Sequence, residues 1–220
     1  MGDNIFDIFP GIKTARLDLR EIQQEDTESI YKLLSIPEVI KHDSFELFTD
    51  IEQAEEVLEW FKDEYKQKRA IFWGIHLKEQ AELIGFCKCK LEIPKVRAGF
   101  GYSLRRDYWN MGIMTETLGS IIDFTFNTMD VNRIEATVAT ENKASLRVLE
   151  KLGFIKEGVL RQRSCFRGSY HDMVMLSLLK AEHCVELYGR INQSINGSIA
   201  SSFGFTHLCH PNIDFQPILK

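Results

Sequence analysis

Nowhere in the 220 residues do 18 apolar side chains follow one another, so no membrane-spanning helix is expected. The opening Met-Gly-Asp-Asn-Ile-Phe-Asp has neither a basic start nor an apolar stretch, which argues against a secretory signal. The myristoylation pattern Met-Gly-x-x-x-Ser/Thr fails at Phe6. Positive charge is not in surplus: 27 Lys and Arg stand against 32 Asp and Glu, a net −5, and a nucleic-acid partner would require a basic face. Cysteine is sparse, with Cys87, Cys89, Cys165, Cys184 and Cys209 scattered along the chain. Cys87 and Cys89 share one face of a strand and cannot bridge each other, and no second close pair completes a tetrahedral zinc site. Reduced, mostly buried thiols in a cytoplasmic protein, with no metal, are the expectation. Both nucleotide-loop patterns, Gly-x-x-x-x-Gly-Lys-Ser/Thr and Gly-x-Gly-x-x-Gly, are missing, and there are no repeats or heptads.

What the chain does have is enough apolar matter for one ordinary core: 44% hydrophobic residues, 15 Phe and 27% charged residues. Arg16-Leu17-Asp18-Leu19-Arg20 alternates as a half-buried strand. Asp26-Thr27-Glu28 opens a helix carrying Ile30, Leu33 and Leu34, which stops near Pro37. A second helix is predicted over 51–67, then an antiparallel meander of strands over 70–77, 82–92 and 96–104. Thereafter the pattern changes to helix 113–129, strand 133–139, helix 144–152 and strands 154–163 and 170–179. Gly153 reads as a helix stop and Arg167-Gly168 as a turn. Strand–helix–strand–helix–strand after a meander implies a mixed α/β sheet with one parallel step near its middle. From 184 onwards the texture becomes rich in Ser, Asn and Gly, so residues 1–183 are expected to form the domain and 184–220 an appendage. His207-Leu208-Cys209-His210 in that appendage lacks the further ligands a metal site needs.

Three short segments carry candidate chemistry. Tyr108-Trp109-Asn110-Met111-Gly112-Ile113-Met114-Thr115-Glu116 joins a strand to an amphipathic helix. A glycine there lets a ligand approach the backbone, and the first free amides of a helix favour an anion such as phosphate. Glu141-Asn142-Lys143-Ala144-Ser145 opens the next helix, where Asn142 alone would be read as its cap. Leu149-Glu150-Lys151-Leu152-Gly153-Phe154 turns a helix end sharply into an apolar strand.

In their order these pieces resemble the GNAT N-acetyltransferase superfamily, which uses acetyl coenzyme A. They are most similar to its branch of ribosomal-protein N-terminal acetyltransferases of the RimJ/RimL type. Thr14-Ala15-Arg16-Leu17-Asp18-Leu19-Arg20, Leu83-Ile84-Gly85-Phe86, Gly101-Tyr102-Ser103-Leu104, Gly153-Phe154-Ile155-Lys156-Glu157-Gly158 and Gly168-Ser169-Tyr170-His171-Asp172 complete the match, which covers roughly residues 10–180. The resemblance implies a mostly antiparallel sheet with helices on both faces, splayed between its fourth and fifth strands, with the pantetheine arm in the gap. It implies coenzyme contacts at Tyr102, Ser103, Leu104, Met111, Gly112, Ile113, Met114, Thr115, Glu116 and Asn142. In the family's pyrophosphate signature, Gln/Arg-x-x-Gly-x-Gly/Ala, only the middle glycine is kept, as Gly112; Trp109 and Met114 fill the outer positions. The backbone amides survive that change, and Trp109 becomes a packing residue.

The general acid that many members place four residues before the Gly-Phe pair is a Tyr; here it is Leu149. The resemblance instead implies Ser145 as the hydroxyl that protonates the departing sulfur, the alternative being a hydroxyl bonded to its own helix. The acidic residue often found two before the Gly-Tyr pair is replaced by Gly99. Glu116 stands in a first helical turn, where the helix dipole is explanation enough; His171, Asp172, a water-relayed base and an amine arriving already neutral remain open for the amine proton. The acceptor implied is a protein N-terminal amine. The alternatives are a polyamine or aminoglycoside, for which Asp43, Glu46, Asp50 and Glu52 could form an acidic wall, or a non-catalytic acyl-CoA-binding module. The chain is expected to act as a monomer or homodimer.

Overall fold

The computed structural model describes residues 3–80, 82–92, 97–129 and 131–183. Its elements run β1 (Ile12–Lys13), β2 (Leu17–Glu21), α1 (Thr27–Leu34), α2 (Pro37–Ile40), α3 (Glu52–Lys66), β3 (Ala70–Leu77), β4 (Leu83–Glu92), β5 (Arg97–Leu104), α4 (Ile113–Thr128), β6 (Arg133–Ala139), α5 (Lys143–Lys151), β7 (Ile155–Phe166) and β8 (Ser169–Leu179). One sheet holds all the strands in the order β1-β2-β3-β4-β5-β6-β8-β7. Every neighbouring pair is antiparallel except β5 and β6, the parallel step the sequence implied.

That parallel step is short. Arg97, Ala98 and Gly99 pair with Arg133, Ile134 and Glu135. Beyond Gly99, β5 continues to Leu104 against β4 and β6 continues to Ala139 against β8. The two strands therefore part, and the sheet opens into a V. Its vertex carries a run of ion pairs across four strands: Arg97–Glu135 at 3.5 Å, Arg133–Glu135 at 2.9 Å and Arg133–Glu157 at 2.6 Å, with Ser177 Oγ donating to Glu157 at 2.6 Å.

The faces divide by side-chain alternation. Leu17, Leu19, Ile71, Trp73 and Ile75 point to the face covered by α4, whose Ile113, Leu118, Ile121, Ile122 and Phe126 recur at helical spacing. Ala70, Phe72, Leu83 and Phe86 point to the other face, against Ile30, Leu33 and Leu34 of α1 and Ala54, Leu58 and Phe61 of α3. Gly85 is required where β4 passes β5: a Cβ there would stand 2.4 Å from the Ser103 carbonyl oxygen.

Several boundaries differ from the sequence reading for local reasons. β1, only two residues long, offers no period to detect. Pro37 begins α2 at its first turn, where its missing N–H costs nothing. The β7–β8 strands run up to a two-residue turn, because Arg167 (φ 52°) and Gly168 (φ 69°) both take the left-handed conformation. Helix α5 ends as a Schellman motif: Gly153 (φ 83°) donates to Glu150 O at 3.1 Å and Phe154 to Leu149 O at 3.0 Å. Residues up to Lys180 form one compact unit, and the appendage from 184, with its His-Leu-Cys-His segment, lies outside the described residues.

Candidate active site

The loop before α4 is wound tightly. Asn110 (φ 62°) and Gly112 (φ 74°) are both left-handed, so the chain turns sharply just before α4. The first helical bond runs from Glu116 N–H to Gly112 O at 3.0 Å, so the amides of Ile113, Met114 and Thr115 precede the ladder. The side chains of Ile113 and Met114 are buried in the core, so this end presents backbone to a ligand. Trp109 folds against the strand end, its indole N–H donating to Leu104 O at 2.7 Å.

Glu116 differs from the other expected coenzyme contacts. Its amide closes the helix, and its carboxylate accepts from Thr14 Oγ1 (2.6 Å), Arg16 N (2.9 Å) and Arg16 Nε (2.7 Å). Burial works to raise its pKa, but these bonds and the Arg16 charge outweigh it and hold the carboxyl below its ordinary value. Arg16 also donates from Nη1 to Met111 O at 3.0 Å. Glu116 thus fastens the loop to the chain just before β2, which accounts for its place better than the helix dipole alone.

On the far half of β5, side chains alternate. Tyr102 and Leu104 lie with the α4 core, while Ser103 turns to the opposite face and donates to Asp43 Oδ2 at 3.3 Å. Across the opening, Asn142 caps α5 by accepting from Ser145 N at 3.1 Å, which leaves its amide NH₂ to serve a ligand. Ser145 brings its Oγ to 2.6 Å from the Tyr102 hydroxyl. Two residues 43 apart, singled out separately in the sequence, thus meet across the V. Burial raises the Tyr102 phenol above its ordinary pKa, partly opposed by the Ser145 bond. Leu149, where other members place Tyr, is fully buried.

The remaining candidate bases are occupied. Asp172 Oδ1 accepts from Gln162 N at 2.8 Å, inside an irregular stretch of the β7–β8 pairing. His171 stacks on Phe166 with centroids 3.8 Å apart and its Nε2 3.2 Å from the Phe166 carbonyl oxygen. His42, which no sequence pattern flagged, has its pKa lowered by burial and by Lys41 and stands within electrostatic reach of Glu141 and His171.

Of the four acidic residues, Asp43 and Glu46 are turned to different partners. Asp43 serves Ser103 and the Phe45 amide (3.2 Å), and Glu46 pairs with Arg167 at 2.9 Å. Arg167, at the β7–β8 turn, also donates to the carbonyls of Ile40 (3.0 Å) and Phe45. It ties that hairpin to the loop after α2, over more than a hundred residues of sequence. Cys87 and Cys89 are buried and free, and burial pushes the Cys89 thiol up to about 12. Among the described residues no group of His, Cys, Asp or Glu could hold a metal, and no helix is long and apolar enough to cross a membrane.

An open V between parallel strands, with a helix N-terminus and an unpaired strand edge at its mouth, suits a long ligand carrying a pyrophosphate at one end. The family profile "Acetyltransferase (GNAT) domain" matches residues 16–155, and the chain belongs to that family. It is 37% identical over 174 residues to the uncharacterized N-acetyltransferase YoaA of Bacillus subtilis (strain 168), covering 79% of this chain and 98% of that one. It is 30% identical over 119 residues to the [ribosomal protein uS5]-alanine N-acetyltransferase of Escherichia coli (strain K12), covering 52% and 60%. The fold is similar to RimL, the ribosomal L7/L12 α-N-protein acetyltransferase solved with coenzyme A: TM-score 0.70, 21% identity, covering 77% of this chain and 98% of that one. The chain is therefore an acetyl-CoA-dependent N-acetyltransferase.

Proposed function

We propose that the acceptor is the N-terminal amine of a protein. The observation that carries this is the bare floor of β5: Cβ atoms built at Gly99 and Gly101 would meet nothing within 4 Å. Both glycines share a face with Ser103, opposite the α4 side, so an extended peptide end has room to reach the V there. That Asp43 serves Ser103 and Glu46 serves Arg167 speaks against those two carboxylates forming a polyamine wall. The relative from Escherichia coli, named for its action on a ribosomal protein's alanine, supports the same reading.

In this reading the amides of Gly112 to Thr115 hold the coenzyme pyrophosphate, helped by the positive end of α4. The edge of β5 at Tyr102, Ser103 and Leu104 and the Asn142 amide hold the pantetheine. Acetyl-CoA supplies an acyl group already activated as a thioester. The chain's contribution is to set the amine nitrogen against that carbonyl, which in favourable cases removes about 7–11 kcal/mol from a barrier. As the C–N bond forms and the C–S bond breaks, Ser145 donates its proton to sulfur. The nitrogen gives up its proton to water at the open mouth, and that proton returns to the Ser145 oxygen.

A thiol-release assay with acetyl-CoA, run against peptides with free N-termini, polyamines and aminoglycosides, tests this. Turnover is expected on peptides, with Ser145→Ala lowering it about 100-fold while coenzyme A affinity holds. Turnover confined to polyamines or aminoglycosides would overturn the peptide assignment. Coenzyme binding without turnover on any amine would mark a binding module.

A further inference from the structure

The Ser145 hydroxyl owns a single hydrogen, and its use depends on where that hydrogen points. At 2.6 Å from Tyr102 Oη, one of the two oxygens must donate to the other. If Ser145 donated, its hydrogen would be spent inside the protein and would not face the coenzyme. The geometry favours the phenol as donor, because its O–H is also directed at the Ser145 carbonyl oxygen, 3.4 Å away. Burial also keeps it protonated, because the buried environment raises its pKa. Its neighbour across the β4–β5 pairing, Cys87, is a buried thiol whose pKa is likewise raised, so no adjacent anion competes for the phenolic hydrogen.

Both partners are held from outside the pair. The Tyr102 ring packs against the core shared by β5 and α4. Ser145 sits in the first turn of α5, its amide fixed to Asn142 Oδ1. The Ser145 carbonyl oxygen, 3.4 Å from Tyr102 Oη, is a second and longer acceptor for the same phenolic hydrogen and keeps the phenol over that turn.

We propose that Tyr102 is a positioning residue: its hydroxyl donates to Ser145 Oγ and thereby turns the Ser145 hydrogen outward, toward the coenzyme sulfur. This rests on Ser145 being the acid of the acetyl-transfer reading. The bond also stabilises the Ser145 oxygen while its proton is away, before the proton shed by the amine nitrogen returns through water.

The test is a double-mutant cycle in the full chain with Tyr102→Phe, which keeps the ring and removes one oxygen, and Ser145→Ala. We expect Tyr102→Phe to lower kcat about tenfold, the worth of one hydrogen bond, with KM for acetyl-CoA and the coenzyme A dissociation constant unchanged. In the Ser145→Ala background the same substitution should cost nothing further, since groups that act as a unit are not additive. An equal loss in both backgrounds, or a loss confined to coenzyme binding, would show that the hydroxyl matters for packing alone and overturn the proposal. Full activity in Ser145→Ala, with the wild type active on peptides, would remove the acid and Tyr102's role with it while leaving the peptide reading standing. A wild type inactive on every amine would instead defeat the acetyl-transfer reading itself.

Discussion

Glu116→Gln isolates the tether between the loop before α4 and the start of β2. The carboxylate accepts three hydrogen bonds, two of them from Arg16, and Arg16 in turn grips Met111 O. The amide keeps the size and one acceptor oxygen but loses the charged bond to Arg16 Nε at 2.7 Å. A hydrogen bond to a charged group contributes about 1.5–3 kcal/mol, and the half-exposed Arg16 side chain brings that down to about 1–2 kcal/mol. For a domain of this size that is a fall in Tm of about 3–6 °C at neutral pH. The pH dependence has a definite sign. The folded carboxyl titrates below its ordinary value of 4.5, so the tether is fully present above that pH and is lost as pH falls through the lower folded value. Thermal melts of both proteins from pH 7 to pH 3 should therefore converge at the acid end. Equal Tm values at pH 7, or a gap that persists undiminished in acid, would refute the assignment of Glu116 to this tether.

Gly85→Ala should destabilise the fold by about 1–3 kcal/mol, because the new methyl meets Ser103 backbone and not a yielding side chain; denaturant melts would check it. Coenzyme A affinity should fall with it, since the strand pushed aside is the proposed coenzyme edge. Asn142→Ala should cost about 1 kcal/mol through the lost cap and also weaken coenzyme binding. Asn142→Asp keeps the cap but not the amide donor, so titration calorimetry should show the affinity loss in a protein of nearly unchanged Tm.

The order of elements was legible because alternation and helical period act within a few residues. Hence the meander, the parallel step, the glycine stop after α5 and the Arg167-Gly168 turn could all be placed. The motif segments also located Gly112, Asn142 and Ser145, since each sits at a helix start, where sequence leaves a local mark. What could not be read is what those residues touch. The Tyr102–Ser145 bond depends on how far β5 and β6 stay paired before parting, and no local pattern encodes that. Glu116 illustrates the same point. An acid in a first helical turn is explained locally, so its partner 100 residues earlier stayed hidden, although Arg16 lies in one of the matched segments. Arg167 looked like turn chemistry because its left-handed backbone is local, while its guanidinium works on carbonyls near residue 40.

Opening a sheet leaves strand groups without neighbours, so the V needs support that does not refill its own gap. The vertex has it in Arg97, Glu135, Arg133 and Glu157 on three strands, with Ser177 joining the fourth, on the closed side. Each pair, partly open to solvent, contributes little alone, but a linked set resists both slippage and further opening. At the mouth the supports come from side chains instead: Trp109 satisfies Leu104 O, and Tyr102 reaches Ser145. Because the bridge across the opening runs through two hydroxyls, it spans the gap without forming a strand ladder, and the far edge of β5 is left without a strand partner, as the proposed coenzyme contact needs. The same economy explains why a glycine, a serine and a tyrosine can make up the proposed site while their larger neighbours, Ile113, Met114 and Leu149, are committed to the core.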